Sequence, residues 1–237
     1  MAASISTTQS KSNIRRLILW PVFVVILIGG LVACSVTGGN QKSTLTHVAA
    51  SLQYYDPRLN PVNNDYYPSE LLLSFPLISG AIFGRPSKES LLKVHLEKTA
   101  RFDLALHDIE SKVAALAAPL NAGDGNTGLQ LNPSTAKIAR LSNYAYDTLG
   151  RTVGAGSFVD PQSKAYLMLV YFSEPARLYG TVKAGADKFT FNVLVQGSGF
   201  YWLRVVEVEP KSFEIRADVD FQQPVHFAVQ VSDSAHL

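Results

Sequence analysis

Cysteine is nearly absent from this chain: Cys34 is the only one in 237 residues. A lone thiol excludes an intrachain disulfide framework and any multi-thiolate metal site. Charge is also scarce, at 17% against 47% hydrophobic, and no Lys/Arg block is longer than the pair Arg15-Arg16. Residues 1–33 carry Lys11, Arg15 and Arg16 and no acid. The remainder therefore holds 18 of the 21 basic residues against all 19 acidic ones, for a net charge of −1. A near-neutral body lacks the basic face that non-specific nucleic-acid binding needs, so no nucleic-acid partner is expected.

Signatures of chemistry are missing too. There is no Walker loop and no G-x-G-x-x-G, so no nucleotide cofactor is expected. The stretch "GDGNTG" (123–128) offers only Asp124 as a charged ligand and lacks the spacing of a calcium loop. "GAGSF" around Ser157 and "QGSGF" around Ser198 both fall short of the G-x-S-x-G nucleophile elbow, and Ser198 reads as a hairpin residue. The histidines, His47, His95, His107, His226 and His236, show no metal-ligand spacing. Asp218 and Asp220 share a strand face with Glu214 and Arg216, which reads as a mixed-charge solvent surface rather than a catalytic carboxylate pair. No catalytic residue, metal ligand or cofactor is assigned.

What the chain does contain begins with "LILWPVFVVILIGGLVA" (17–33), 17 residues without charge behind Arg15-Arg16. That length falls between a secretory h-region and a membrane span. Gly29 and Gly30 loosen its end, and Leu31-Val32-Ala33-Cys34 follows. This resembles the bacterial lipoprotein signal peptide and its lipobox. The resemblance covers residues 1–34 and no domain family beyond them. It implies cleavage before Cys34, a diacylglycerol on its sulfur and a body outside the cytoplasm in a bacterial cell envelope. Ser35 at the next position implies the periplasmic face of the outer membrane in a Gram-negative cell. Two other readings stay open: an uncleaved transmembrane helix over 17–33, in which Cys34 is a small apolar residue, and an organelle transit peptide, suited by the acid-free "MAASISTTQSKSNIRR". The first two make the bilayer a partner, through Cys34 or through residues 17–33.

Beyond the anchor, residues 34–44 read as lipid attachment and a flexible tether. "QYYDPRLNPVNNDYYPSE" (53–70) holds three prolines, which forbid regular structure. It reads as an extended arm packed on the body; the alternative is a binding surface, with Tyr54, Tyr55, Tyr66 and Tyr67 as candidate contact residues for an envelope protein or glycan. "LLLSF" (71–75) reads as a strand ended by Pro76. In "LLKVHLEKTARFDLALH" the apolar residues Leu92, Val94, Leu96 and then Phe102, Leu104, Leu106 alternate with polar ones. This predicts a β-hairpin that brings His95 and His107 onto one face. Asp108 is placed as the cap of a helix with Ile109, Val113 and Leu116 inward, stopped by Pro119. Residues 121–133 read as a loop. Pro133 and Ser134 start a second helix with Ile138, Leu141 and Ala145 inward, ended at Gly150. The stretches 165–172, 177–182, 188–196, 200–209, 212–221 and 225–231 alternate or run apolar between Gly and Pro turns, predicting an antiparallel sheet or sandwich.

The fold expected is therefore α+β, in regions 45–120 and 134–237 that could form one domain. The function expected is a membrane-anchored extracytoplasmic lipoprotein that binds or scaffolds envelope components. An envelope hydrolase of glycan or peptide, and a carrier of a small apolar ligand, are the alternatives.

Overall fold

A computed structural model of the chain describes residues 45–55, 61–62, 70–97, 101–121, 123, 125–217 and 224–231. Cys34, the apolar run before it, the tether, Tyr66, Tyr67, Asp124, Asp218, Asp220 and His236 lie outside the described residues.

Strands dominate. In chain order they are β1 (His47–Tyr55), β2 (Glu70–Ser79), β3 (Ser90–Glu97), β4 (Arg101–Ala105), β5 (Ala118–Pro119), β6 (Leu129–Asn132), β7 (Lys137–Leu141), β8 (Tyr144–Tyr146) and β9 (Thr152–Val159). They continue with β10 (Tyr166–Phe172), β11 (Ala176–Ala184), β12 (Asp187–Val195), β13 (Gly199–Glu209), β14 (Ser212–Ala217) and β15 (Val225–Val231). One helix, α1 (His107–Leu116), sits between β4 and β5. The α+β expectation is thus corrected. Among the described residues this is an all-β protein with a single short helix, and its large sheet is mixed rather than purely antiparallel, because β1–β15 and β12–β14 pair in parallel.

The sheet runs β4-β1-β15-β9-β8-β2-β7-β10-β13-β14-β12-β11-β6, with β3 on β2 and β5 on β7. β9 also pairs β10, so β9, β8, β2, β7 and β10 close a ring. Pairings between β1 and β15 and between β2 and β7 tie the first half of the chain to the second.

Two cores flank the strands at the centre of this order. In β10 the side chains alternate between them: Leu167, Leu169 and Tyr171 enter the first core, Val170 and Phe172 the second. β13 does the same, with Phe200 and Trp202 on one side and Tyr201 and Leu203 on the other. Strands buried on both faces read as continuous apolar runs, and "YLMLVYF" and "FYWL" are such runs. The first core centres on aromatic rings. Phe158 lies 5.3 Å from Phe227 and 5.0 Å from Trp202, both edge-on, the arrangement that ring quadrupoles favour. Gly156 makes room for them: a Cβ there would sit 2.2 Å from the Phe227 ring.

Five sequence expectations fail here. The segment from Pro133 to Gly150 is not a helix; it forms β7 and β8. Ile138, Leu141 and Ala145 are buried, but so is Ala139, because β7 is covered on both faces and the period-2 signal disappears. The proposed hairpin does exist as two strands, but they do not pair with each other: β3 adds to β2 and β4 to β1, with Val48 opposite Leu104 and Ala50 opposite Phe102. Pro76 does not end its strand. β2 continues through it to Ser79, with a register shift against β3 where the proline lacks an N–H, while the Pro76 carbonyl accepts from Ser142 N at 2.8 Å. In α1 the N-cap is Leu106 rather than Asp108, which lies in the first turn with Glu110, where a negative charge suits the helix dipole. Ile109 and Val113 are buried as the pattern requires, but Leu116 is exposed. None of the described helices is long and apolar enough to cross a membrane.

Candidate functional site

The predicted contact residues separate. Tyr54 and Tyr55 end β1, where alternation sends Tyr54 into the first core and Tyr55 onto the opposite face. They are 0% and 2% exposed, so neither offers a contact surface, and the reading of them as a partner-binding platform is corrected. Tyrosine rings bury readily when the hydroxyl finds a partner, as that of Tyr55 does. The chain folds back there, Val62 N donating to the Tyr54 carbonyl at 3.1 Å.

Tyr55 opens the densest polar cluster among the described residues. Its hydroxyl lies 3.1 Å from His226 Nδ1 on β15, the parallel neighbour of β1. Around them pack Val159, Tyr166 and Ala228. Burial pushes the Tyr55 hydroxyl up, so it keeps its proton. Burial, together with the positive charge of Lys164, pushes the His226 imidazole down, against a smaller upward pull from Asp160. A neutral imidazole accepting from a tyrosine O–H is the arrangement these directions require. Burial raises Tyr166 as well, with Tyr55 adding to it.

The turn between β9 and β10 supplies the charges. Asp160 Oδ1 accepts from Gln162 N at 3.0 Å, Asp160 accepts from the Ser163 hydroxyl, and Arg204 Nη2 lies 3.4 Å from Asp160 Oδ2. Burial pushes this carboxyl up, but those hydrogen bonds and the Arg204 charge outweigh it and hold it below the usual range. Lys164 adopts φ 59° to close the turn. The sequence carried one signal for it: Asp160-Pro161 is a turn-initiating pair whose carboxylate can bond the backbone two residues on.

The cluster lies on a sheet face, where Tyr55 is bonded to His226 and Asp160 is paired with Arg204. A base and a hydroxyl are within reach, but His226 only accepts a hydrogen bond from a phenol that burial makes reluctant to ionise, which is poor activation for nucleophilic attack.

Other candidates fall apart in space. His95 is exposed on β3, whereas His107 opens α1, 3.1 Å from Asp108 and 3.4 Å from the Thr46 carbonyl. The hairpin that would have joined the two does not form. No group of three or more potential ligands gathers to hold a metal ion among the described residues. Ser157 is a β9 residue opposite Ala228, so "GAGSF" is strand and not a strand-to-helix elbow. Ser198 sits in the turn before β13, 3.2 Å from the Tyr171 hydroxyl, while Tyr201 donates to the Gly197 carbonyl at 2.9 Å. Glu214 and Arg216 pair with each other on β14, a mixed-charge surface.

One charged residue had no sequence signal. Arg140 lies on β7 between Ile78 of β2 and Val170 of β10. Burial brings its guanidinium down to about 10, with Tyr144 pulling the other way. A helix with Ile138, Leu141 and Ala145 inward would have turned it to solvent.

The fold and its polar cluster define a class no finer than an all-β protein with two cores sharing central strands. No protein-family model, no curated protein and no solved structure matches the chain.

Proposed function

We propose that this chain is a lipid-anchored protein of the bacterial envelope, its β body held outside the cytoplasm as a binding or scaffolding module. The observation that carries the reading is the order Arg15-Arg16, then seventeen uncharged residues ending in Leu31-Val32-Ala33, then Cys34, with the chain's single thiol at the one position that lipid attachment requires. Two or three acyl chains hold a soluble body far more firmly than one, since each buried methylene adds about 0.8 kcal/mol. Support for a binding module over a hydrolase comes from the Tyr55–His226 and Asp160–Arg204 pairs, each bonded within itself on a sheet face. Glycan or peptide chemistry would instead require them to converge on a cleft.

Cys34→Ser in the full-length chain tests the anchor. Radiolabelled palmitate incorporation is expected to vanish and the protein to leave the membrane fraction. Unlabelled wild-type protein that still carries Met1 through Ala33 would replace the lipid anchor with a plain membrane helix.

A further inference from the structure

The second core is fringed by apolar side chains left half-exposed: Phe83, Leu120, Met168, Phe189 and Val205. Two of the rings are in contact. Phe83 lies 5.4 Å from Phe189, which stacks on Phe213 at 5.0 Å. Among these side chains is a cation. Arg140 Nη1 donates to the Ile82 carbonyl at 2.7 Å and lies 3.9 Å from Met168 Sδ. No carboxylate among the described residues pairs with it. Nε and Nη2, the side-on pair that grips a carboxylate with two parallel bonds, donate to no described residue.

A structural explanation of Arg140 would make it the clamp of the 81–84 loop. That loop already has one. The side chain of Asn126, fully buried, accepts from Ile82 N and Phe83 N at 3.0 Å each and donates to the Phe83 carbonyl at 2.7 Å. The guanidinium is thus half-buried at an apolar rim: Nη1 holds the Ile82 carbonyl, which Asn126 does not reach, and the other three of its five N–H groups are unspent on the loop. A cation with apolar neighbours and a side-on pair of donors open to one side is a place where a ligand's charge is received.

We propose that this rim is a ligand site for an apolar carboxylate, its body lying on Met168, Phe83, Phe189 and Val205 and its head group paired with Nε and Nη2 of Arg140. The apolar lining selects against inorganic anions, which need several polar donors, and the lone cation selects against neutral lipids. The Asn126 clamp holds the rim in its binding shape before the ligand arrives, so little ordering is paid on association. The site does not depend on whether Cys34 carries lipid, and its test fails or succeeds apart from the palmitate experiment.

Full-length protein in phosphatidylcholine nanodiscs is titrated with carboxyl-13C-labelled decanoate, with empty nanodiscs as background. A saturable, protein-specific carboxyl resonance is expected, undisturbed by sulfate or decanol. Arg140→Gln should weaken binding about ten- to hundred-fold, the loss expected for one charge-assisted contact, and Arg140→Lys should fall between. Met168→Glu keeps the arginine but gives it an internal carboxylate. It should abolish decanoate binding while leaving the circular dichroism spectrum unchanged, which decides the matter if Arg140→Gln does not fold. No signal above empty nanodiscs, or unchanged affinity in either folded variant of Arg140→Gln and Met168→Glu, would overturn the proposal.

Discussion

At the scale of single residues, burial decides which groups stay neutral. His226 is the clearest case. Its folded imidazole binds a proton less readily than its ordinary value of 6.5, because it is half-buried and faces Lys164, with Asp160 only partly compensating and Tyr55 donating to Nδ1. A histidine depressed in the folded state holds fewer protons there than in the unfolded chain. Stability is therefore full above 6.5, falls as the pH drops from there towards the lower folded value, and is level below it. Asp160 and Asp147, both held low by hydrogen bonds, act in the same sense further down: their contribution is present above the ordinary carboxylate value of 3.8 and is lost below it. The thermal midpoint of the wild type is expected to decline in two stages on acidification. His226→Gln should flatten the first stage and leave the second; an unchanged profile between pH 7 and 5 would show that the imidazole does not titrate there. Of these environments only the Asp160 turn left a mark in the sequence, at Asp160-Pro161. His226 reads as one polar residue in an alternating strand, and its phenol partner is 171 positions away.

At the scale of elements, alternation found strands and failed to pair them. Leu92, Val94 and Leu96, and then Phe102 and Leu104, each mark one face of a strand, and both strands form. Nothing local tells β4 to seek β1 rather than β3, because an inward Leu or Val on any neighbour satisfies the same face. β7 shows the converse. A strand covered on both sides loses the period that would reveal it, and three apolar positions then imitate a helix. β6, four residues within an expected loop, was hidden because it is short: Leu129 and Leu131 enter the second core, but two apolar positions are too few to show a period, and its pairing also needs a close backbone approach. A Cβ at Gly180 of β11, at φ 123°, would sit 2.0 Å from the Gly128 carbonyl beside β6. Gly180→Ala should therefore destabilise the fold by about 2–3 kcal/mol and speed amide exchange in Leu129–Asn132, read by hydrogen-exchange mass spectrometry. Unaltered protection of β6 would mean the two strands can separate slightly without loss.

At the scale of the whole molecule, the shared strands couple the two cores. Leu169 and Phe172 lie on one strand, fully buried on opposite sides. Leu169→Ala should cost about 2–5 kcal/mol and Phe172→Ala about 3–5 kcal/mol, the range for cavities left in packed cores. Since β10 cannot leave one core and stay in the other, both variants should lower a single calorimetric transition. Two separable peaks would show that the cores melt independently. The sequence by itself determined which stretches between residues 165 and 231 are strands, which of their faces are apolar, and that a thiol follows a basic and then apolar stretch, since all of these are local patterns of side-chain type. Only the tertiary structure decided that Tyr54 and Tyr55 are interior, that residues 137–146 are strand, which strands are neighbours and that Arg140 is a cation among hydrocarbon. Pairing and burial depend on segments far apart in the chain, and a side chain's chemistry is set by what those distant segments bring against it.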